Sequence, residues 1–248
     1  MLSRIAMLLF ASLGLICAAM ADEIRVLAPN AVKEPVAEAI SVFEQTTGHK
    51  VLVTWTGTEA ITKRVGEGEV ADVVVNAAQN IAQQSKDGKL RGETRTDFAR
   101  SSIGVAVPSS STRIEVTTAD TLKAALLSAR TVVVSSGTSG RHMVEVFAKL
   151  GIGEQLKAKT MQPPSGAQIA DFLATGGADI GFQQISELLH GKGILYLGPI
   201  PAELQNYTIY SAAMHAGAAN ADAAKALLEA LRTPTVQLVV RASGMEPI

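Results

Sequence analysis

The chain has 248 residues, 47% of them hydrophobic and only 4% aromatic, with 22 lysines and arginines against 23 aspartates and glutamates. The cations are scattered singly and the rings are few, which excludes a nucleic-acid binder that would need a basic stripe and stacking platforms. A single cysteine excludes a disulfide framework, so stability must come from a packed core, which this length can bury as one large domain or two of about 100 residues.

The first 21 residues read as a secretory signal peptide. Arg4 supplies the positive end, Ile5 to Ile16 the apolar run, and Ala19-Met20-Ala21 an A-x-A cleavage site before Asp22-Glu23. The run is shorter than the roughly 20 residues of a spanning helix. Cys17 falls inside it, and Ile16 does not match the small residue that a lipoprotein signal places there. Cleavage after Ala21 removes one positive charge, takes the net charge from −1 to about −2, and leaves no thiol. The expected location is the periplasm.

The mature sequence then alternates strands and helices. Ile24 to Ala28 reads as a buried strand, Pro29-Asn30-Ala31 as a turn, and Glu34 to Thr47 as a helix, with Val36, Ile40 and Phe43 on one face and Gly48 at its C-cap. Lys50 to Trp55 is a strand, Thr56-Gly57-Thr58 a turn and Glu59 to Val65 a helix. Asp72 to Ala77 and Gln79 to Lys86 repeat the pair. A second block opens near Ser101 with a strand from Ile103 to Val107 and a helix to Ser128 capped by Thr117 or Thr118. Next come a strand at Thr131 to Ser135, a Gly-rich turn at Ser136 to Gly140 and a helix from Arg141 to Leu150. Gln168 to Ala174 is helical, Asp179 to Gln183 a strand, and Ile185 to His190 helical. Strands at Ile194 to Gly198 and Thr208 to His215 precede a helix bearing Ala224, Leu227, Leu228 and Leu231 on one face. A last helix, Val236 to Arg241, follows Pro234. Such alternation predicts α/β architecture, parallel strands covered by helices on both faces.

In open α/β sheets, ligands sit at the carboxyl ends of the strands, where helix N-termini offer unpaired N–H groups. Three strand-to-helix turns here are small and polar: Asn30-Ala31, Thr56-Gly57-Thr58 and Ser136 to Gly140. Capping alone explains any one of them. Together they suggest a cage of N–H and hydroxyl donors able to desolvate an anion without a full counter-charge. Arg141 could add a forked donor to a carboxylate, or point to solvent. Gln183 and Gln184, at the end of another strand, could turn an amide into the cleft or satisfy loop backbone.

Gly137 to Arg141 lacks both the spacing and the lysine of a phosphate loop, and is one residue away from G-x-S-x-G. His49, His142, His190 and His215 have no metal-ligand spacing, so neither a metal nor a cofactor is expected.

Val26-Leu27-Ala28 before the first turn, Gly68 to Asp72 leading into Val73-Val74-Val75, Ser139-Gly140 after Val132 to Val134, and Gly181-Phe182 followed by two glutamines carry a resemblance. Over most of the mature chain, the sequence resembles the molybdate-binding-protein-like branch of bacterial periplasmic solute-binding proteins. That resemblance implies the type II periplasmic-binding fold: two Rossmann-like α/β lobes with a ligand cleft between them, joined by crossing hinge strands. Residues 22–100 and 205–248 would form the first lobe and 101–204 the second. It also implies an oxyanion held near Ala31, Thr58, Ser139, Gly166 and Gln184. Ala31 stands where the family places a serine, and Gln184 where it places a tyrosine. Asn30 could replace the missing donor.

The ligand residues expected are therefore Asn30, Ala31, Gly57, Thr58, Ser139, Gly140, Arg141, Gly166, Gln183 and Gln184. The function expected is capture by a monomer of a small anion, a molybdate-like oxyanion or a small carboxylate, for a membrane permease of an ABC transporter, with no catalytic residue. The rivals are a periplasmic isomerase of an unsaturated acid, with His142 as acid/base and Arg141 on the carboxylate, and an adhesion or sensor module that has lost its ligand.

Overall fold

The computed structural model describes residues 23–248, so the expected signal segment at residues 1–21 lies outside the described residues. One sheet contains β1 (Glu23–Pro29), β2 (Lys50–Thr56), β3 (Val73–Ala77), β4 (Leu90–Ser101), β10 (Thr208–His215) and β11 (Glu246–Pro247), in the spatial order β11-β4-β10-β3-β1-β2. A second contains β5 (Ile103–Pro108), β6 (Val132–Val134), β7 (Thr160–Met161), β8 (Ile180–Gln184) and β9 (Ile194–Pro199), in the order β7-β6-β8-β5-β9. The molecule is thus α/β and two-lobed, one lobe around each sheet.

The central strands are apolar on both faces because helices cover both. Ile24, Val26 and Ala28 of β1 pack with Val36, Ala39 and Phe43 of α1 (Lys33–Thr47), while Leu27 and Val74 meet Ile61 and Val65 of α2 (Thr58–Gly66) and Ile81 of α3 (Ala78–Lys86). Gly48 ends α1 at φ 76°, donating its N–H to the Glu44 carbonyl at 3.0 Å. In the other lobe, α4 (Ala119–Ser128), α5 (Thr138–Lys149) and α6 (Gly153–Lys157) bury Leu122, Leu126, Met143, Phe147 and Leu156 on one face of the sheet. Ile169 and Leu173 of α7 (Ile169–Ala174) and Leu188 of α8 (Ile185–Leu189) cover the opposite face. Thr118 is the cap of α4, accepting from the Thr121 N–H in a reciprocal capping box. Helices α9 (Ala221–Ala230) and α10 (Pro234–Ala242) pack Leu227, Leu228, Val236 and Val240 onto the same core as α1. No helix among the described residues is long and apolar enough to cross a membrane.

Both sheets are mixed rather than purely parallel: β10 runs antiparallel to β3 and β4, and β5 antiparallel to β8 and β9. The reason lies in the connections. β4 passes into β5 with only Ser102 between them, so one nearly continuous strand leaves one sheet and joins the other. The chain returns from β9 to β10 through residues 200–207.

Gln205 pins the two crossings together. Its Oε1 accepts from the Ile103 N–H at 2.8 Å and its Nε2 donates to the Ile103 carbonyl at 3.0 Å. Substituting Gln205→Leu strands the Ile103 N–H, while the Ile103 carbonyl keeps the Ile200 N–H at 3.1 Å, and should cost about 1–3 kcal/mol. Thermal unfolding should show Tm falling by roughly 2–4 °C per kcal/mol lost.

Candidate functional site

Where the two lobes face each other, a cavity of about 40 Å³ is enclosed by the ends of β1, β2, β6 and β8 and by the loop 163–167. Among its walls are Asn30, Ala31, Gly57, Thr58, Ser139, Gly166, Gln183 and Gln184, all named from the sequence. Gly140 and Arg141 do not line it. Ser135, Ser165, Glu187 and Tyr210, which the sequence had not marked as ligand residues, also line it.

Two helices begin at this cavity without a side-chain cap of their own. The N-cap of α2 is Gly57 and that of α5 is Gly137. The first N–H groups of a helix have no intrahelical acceptor, and each carries the positive end of a dipole. In α2, one of these donors is taken across the cleft: the Ala60 N–H donates to Ser165 Oγ at 3.1 Å. In α5, Gly140 N–H turns back to Ser135 Oγ at 3.2 Å, and that hydroxyl lies 2.8 Å from Ser139 Oγ. The N–H groups of Thr58 and Glu59 in α2 and of Thr138 and Ser139 in α5 have no acceptor within their helices.

Helix α5 begins at Thr138, three residues earlier than the sequence pattern predicts. The turn is therefore tighter, and Gly140 has a packing role. A Cβ there would lie 1.6 Å from the Ser135 carbonyl oxygen, so only glycine lets the helix start so close to the strand end.

The lobes touch around the cavity. Asn30 Nδ2 donates to the Gly166 carbonyl at 3.1 Å, so the amide expected to replace a missing hydroxyl is occupied in lobe contact. Ser186 Oγ donates to the Ala31 carbonyl at 2.6 Å. Arg141 forms an ion pair with Glu59 across the mouth, which takes it away from the expected carboxylate role. Their side chains are 43% and 37% exposed, and such pairs contribute about 0–1 kcal/mol. Arg141→Ala should therefore change anion affinity less than about fivefold by calorimetric titration. His142 lies outside the cavity with Nε2 at 2.7 Å from the Leu204 carbonyl, held by backbone rather than aimed at a ligand.

None of the described lining residues is Lys, Arg or His. The ionisable groups are Glu187, in the first turn of α8, and Tyr210, on β10. Burial pushes the Glu187 carboxyl up to about 8; a hydrogen bond from Gln168 opposes this and the nearby Glu34 charge adds to it. Glu187 Oε1 accepts from Gln183 Nε2 at 2.7 Å, while Gln183 Oε1 accepts from the Ile169 N–H at 3.0 Å. Gln183 is thus a brace between helices α7 and α8. Burial, with the Glu187 charge behind it, raises the Tyr210 phenol well above its ordinary value. At neutral pH the cavity offers a protonated carboxyl, a phenol, hydroxyls and backbone N–H groups: a neutral, donor-rich cage.

The profile described as bacterial extracellular solute-binding protein matches residues 24–246. The chain belongs to this family. Within it, the sequence is similar to an aconitate isomerase from a Pseudomonas species, 28% identical over 247 residues spanning 97% of this chain and 94% of that protein. It is also 28% identical over 247 residues to the molybdate-binding protein ModA of Azotobacter vinelandii, covering 98% of this chain and 97% of that one. The solved structure of the Azotobacter vinelandii periplasmic molybdate-binding protein shares the fold of this solute-binding protein, with a TM-score of 0.76 at 17% identity over 90% of this chain and 98% of that chain.

Two of the residues missed in the sequence, Glu187 and Tyr210, sit on regular elements, whereas Ser135 and Ser165 lie in loops. Glu187 interrupts the apolar run Ile185 to Leu189, and an acid inside such a run was the available signal. Tyr210 alternates with Thr208 along β10, so period-two reading would have placed both on one face.

Proposed function

We propose that this protein is exported to the periplasm after removal of residues 1–21, closes its lobes around one small anion, and delivers it to the permease of an ABC transporter. The observation that carries this reading is the cavity itself, in which two helix N-termini and several hydroxyls converge with no cation among the described lining residues. Oriented N–H and O–H dipoles can hold a desolvated anion whose charge is spread over several oxygens. Asn30, Ala31, Gly57, Thr58, Ser139, Gly166, Gln183 and Gln184 are proposed as the contact set, with Tyr210 and Glu187 added. At about 10–15 Å³ per water-sized occupant, 40 Å³ suits a small oxyanion or a short carboxylate.

Thermal unfolding against molybdate, tungstate, sulfate, phosphate and small carboxylates tests the proposal. A true ligand at 100 times its Kd should stabilise by about 2.7 kcal/mol. A panel without any stabiliser would sink the reading.

The aconitate isomerase relative and a protonated Glu187 in the cavity support a second reading, proton transfer on a small unsaturated acid. The cavity, at about 40 Å³, is small for a tricarboxylate, and Glu187 is the one carboxyl among the described lining residues. Following the single olefinic proton of trans-aconitate by NMR decides between them: an unchanged spectrum with the protein present leaves capture as the function.

A further inference from the structure

We infer that Thr58 and Tyr210, both carried by the lobe of β1, determine which ligand is held: their hydroxyls form a two-point grip on the oxygens of one acidic group, and the buried polar side chains of the other lobe serve as a frame around it. The inference deepens the anion-capture reading and rests on it.

Among the described lining residues, the buried polar side chains are those of Thr58, Ser139, Gln183, Gln184 and Tyr210. Three of them, all from the lobe of β5, are held by neighbours. Ser139 Oγ lies 2.8 Å from Ser135 Oγ, Gln183 bridges the Ile169 N–H and Glu187, and Gln184 Nε2 donates to Thr208 Oγ1 at 2.9 Å. Gln184 Oε1 is unpaired but wholly buried, as are Gln84 Oε1 and His215 Nε2. Thr58 Oγ1 and Tyr210 Oη differ from both groups. Neither bonds to any described residue and neither is wholly buried, so each keeps a patch of accessible surface. The two residues are 5% and 1% exposed and both line the cavity, so that surface opens there.

Packing selects neither hydroxyl. The Tyr210 ring sits in the same core as Phe43 and Phe98, where phenylalanine would fill as much space, and valine has the shape of Thr58. The backbone is also irregular at this point. Tyr210 pairs with Ala99 and Ser211 with Asp97, which leaves Phe98 of β4 as an extra residue opposite that step. Bulges of this kind re-aim side chains beside binding sites.

A buried tyrosine hydroxyl ordinarily finds a partner, and one without a partner in the protein calls for one from outside it. The acceptor that suits both hydroxyls is an oxygen of an acidic group, because a hydrogen bond to a charged oxygen is stronger than one to a neutral oxygen. The start of α2 adds the positive end of its dipole on the same side. Both hydroxyls belong to one lobe, so the grip is complete before the lobes close.

Calorimetric titration of wild type, Tyr210→Phe and Thr58→Val with molybdate, sulfate, phosphate, acetate and glycolate tests this, with the Tm of each unliganded protein measured alongside. Each variant is expected to bind about tenfold or more weakly, the worth of one hydrogen bond to a charged group. Its unliganded Tm should stay within about 2 °C of wild type or rise, since no hydrogen bond within the protein is lost. A loss seen with the first three anions assigns a tetrahedral oxyanion, and one seen with the last two a carboxylate. Affinity within about twofold of wild type in either variant overturns the two-point grip while anion capture stands. A loss of affinity accompanied by a lower unliganded Tm makes the hydroxyls structural and overturns it as well. In the wild type itself, the Cζ resonance of Tyr210, one of three tyrosines, should move in the carbon NMR spectrum when the tightest-binding of these anions is added. A resonance that stays in place removes Tyr210 from the grip even should Tyr210→Phe fail to fold. Binding of none of the five anions by the wild type overturns capture and the inference together.

Discussion

Replacing Gly57 by alanine is expected to weaken anion binding by about 5- to 100-fold while leaving the unliganded protein close to wild-type stability. Gly57 has φ −96°, a conformation any residue adopts, so its backbone does not require glycine. Space does. A Cβ there would lie 2.3 Å from Ser165 Oγ and 2.6 Å from the Gly166 nitrogen. The hydroxyl could swing aside, but the nitrogen belongs to a backbone fixed at φ 93° and held by Asn30 through the Gly166 carbonyl. In the lobe closure proposed above, the methyl acts only when the lobes come together. Overpacking of this kind costs about 1–3 kcal/mol, charged here to the closed state alone, and apparent affinity falls by the fraction of molecules that can still close. Titration with the strongest stabiliser from the anion panel measures the loss, and small-angle scattering should find a larger radius of gyration at saturating ligand than in the wild type. Affinity within twofold of wild type would show that closure at Gly57 does not govern binding.

The two-lobed α/β fold was legible because its signals are local: apolar runs of strand length, helical periodicity and glycines that end helices, such as Gly48. The 12-residue strand β4 was not legible. Its sequence, Leu-Arg-Gly-Glu-Thr-Arg-Thr-Asp-Phe-Ala-Arg-Ser, is mostly polar because only part of it is buried, and its register with β10 is irregular. Pairing with a strand more than 100 residues later in the chain, Thr208 with Ser101 for one, holds it in place, and no window on the sequence contains that pairing. The candidate site divides in the same way. Thr56-Gly57-Thr58 and Ser136 to Gly140 stand out as small polar turns after strands, where donors gather. Arg141 looked like a ligand because a cation in the first turn of a helix opposes the dipole. The structure supplies another reason for it, a carboxylate on the facing lobe, and only the tertiary arrangement could reveal Glu59 as its partner.

Anion affinity should fall by about tenfold per pH unit above pH 8, and Glu187→Gln should abolish that dependence. Burial holds the Glu187 carboxyl near 8, so at pH 7 it is mainly neutral and adds no charge to a cavity that has no cation among its described lining residues. Ionisation places a carboxylate beside the bound anion, and release of one proton linked to loss of binding gives unit slope in log Kd against pH. The sign for stability follows from the same shift. The folded-state value lies above the ordinary 4.5, so the contribution of this group is fully present below pH 4.5 and is lost as pH rises through about 8. At 1.36 kcal/mol per unit, the loss across that window is at most about 4–5 kcal/mol, and less to the extent that the half-buried side chain keeps water. Glutamine preserves the size and can keep accepting from Gln183 Nε2, so Glu187→Gln should unfold at a higher temperature than wild type at pH 9 and match it near pH 5. Parallel profiles for the two proteins in both affinity and Tm would place the proton elsewhere. A flat profile for the variant in both would assign to one buried carboxyl the neutrality that allows this cavity to accept an anion.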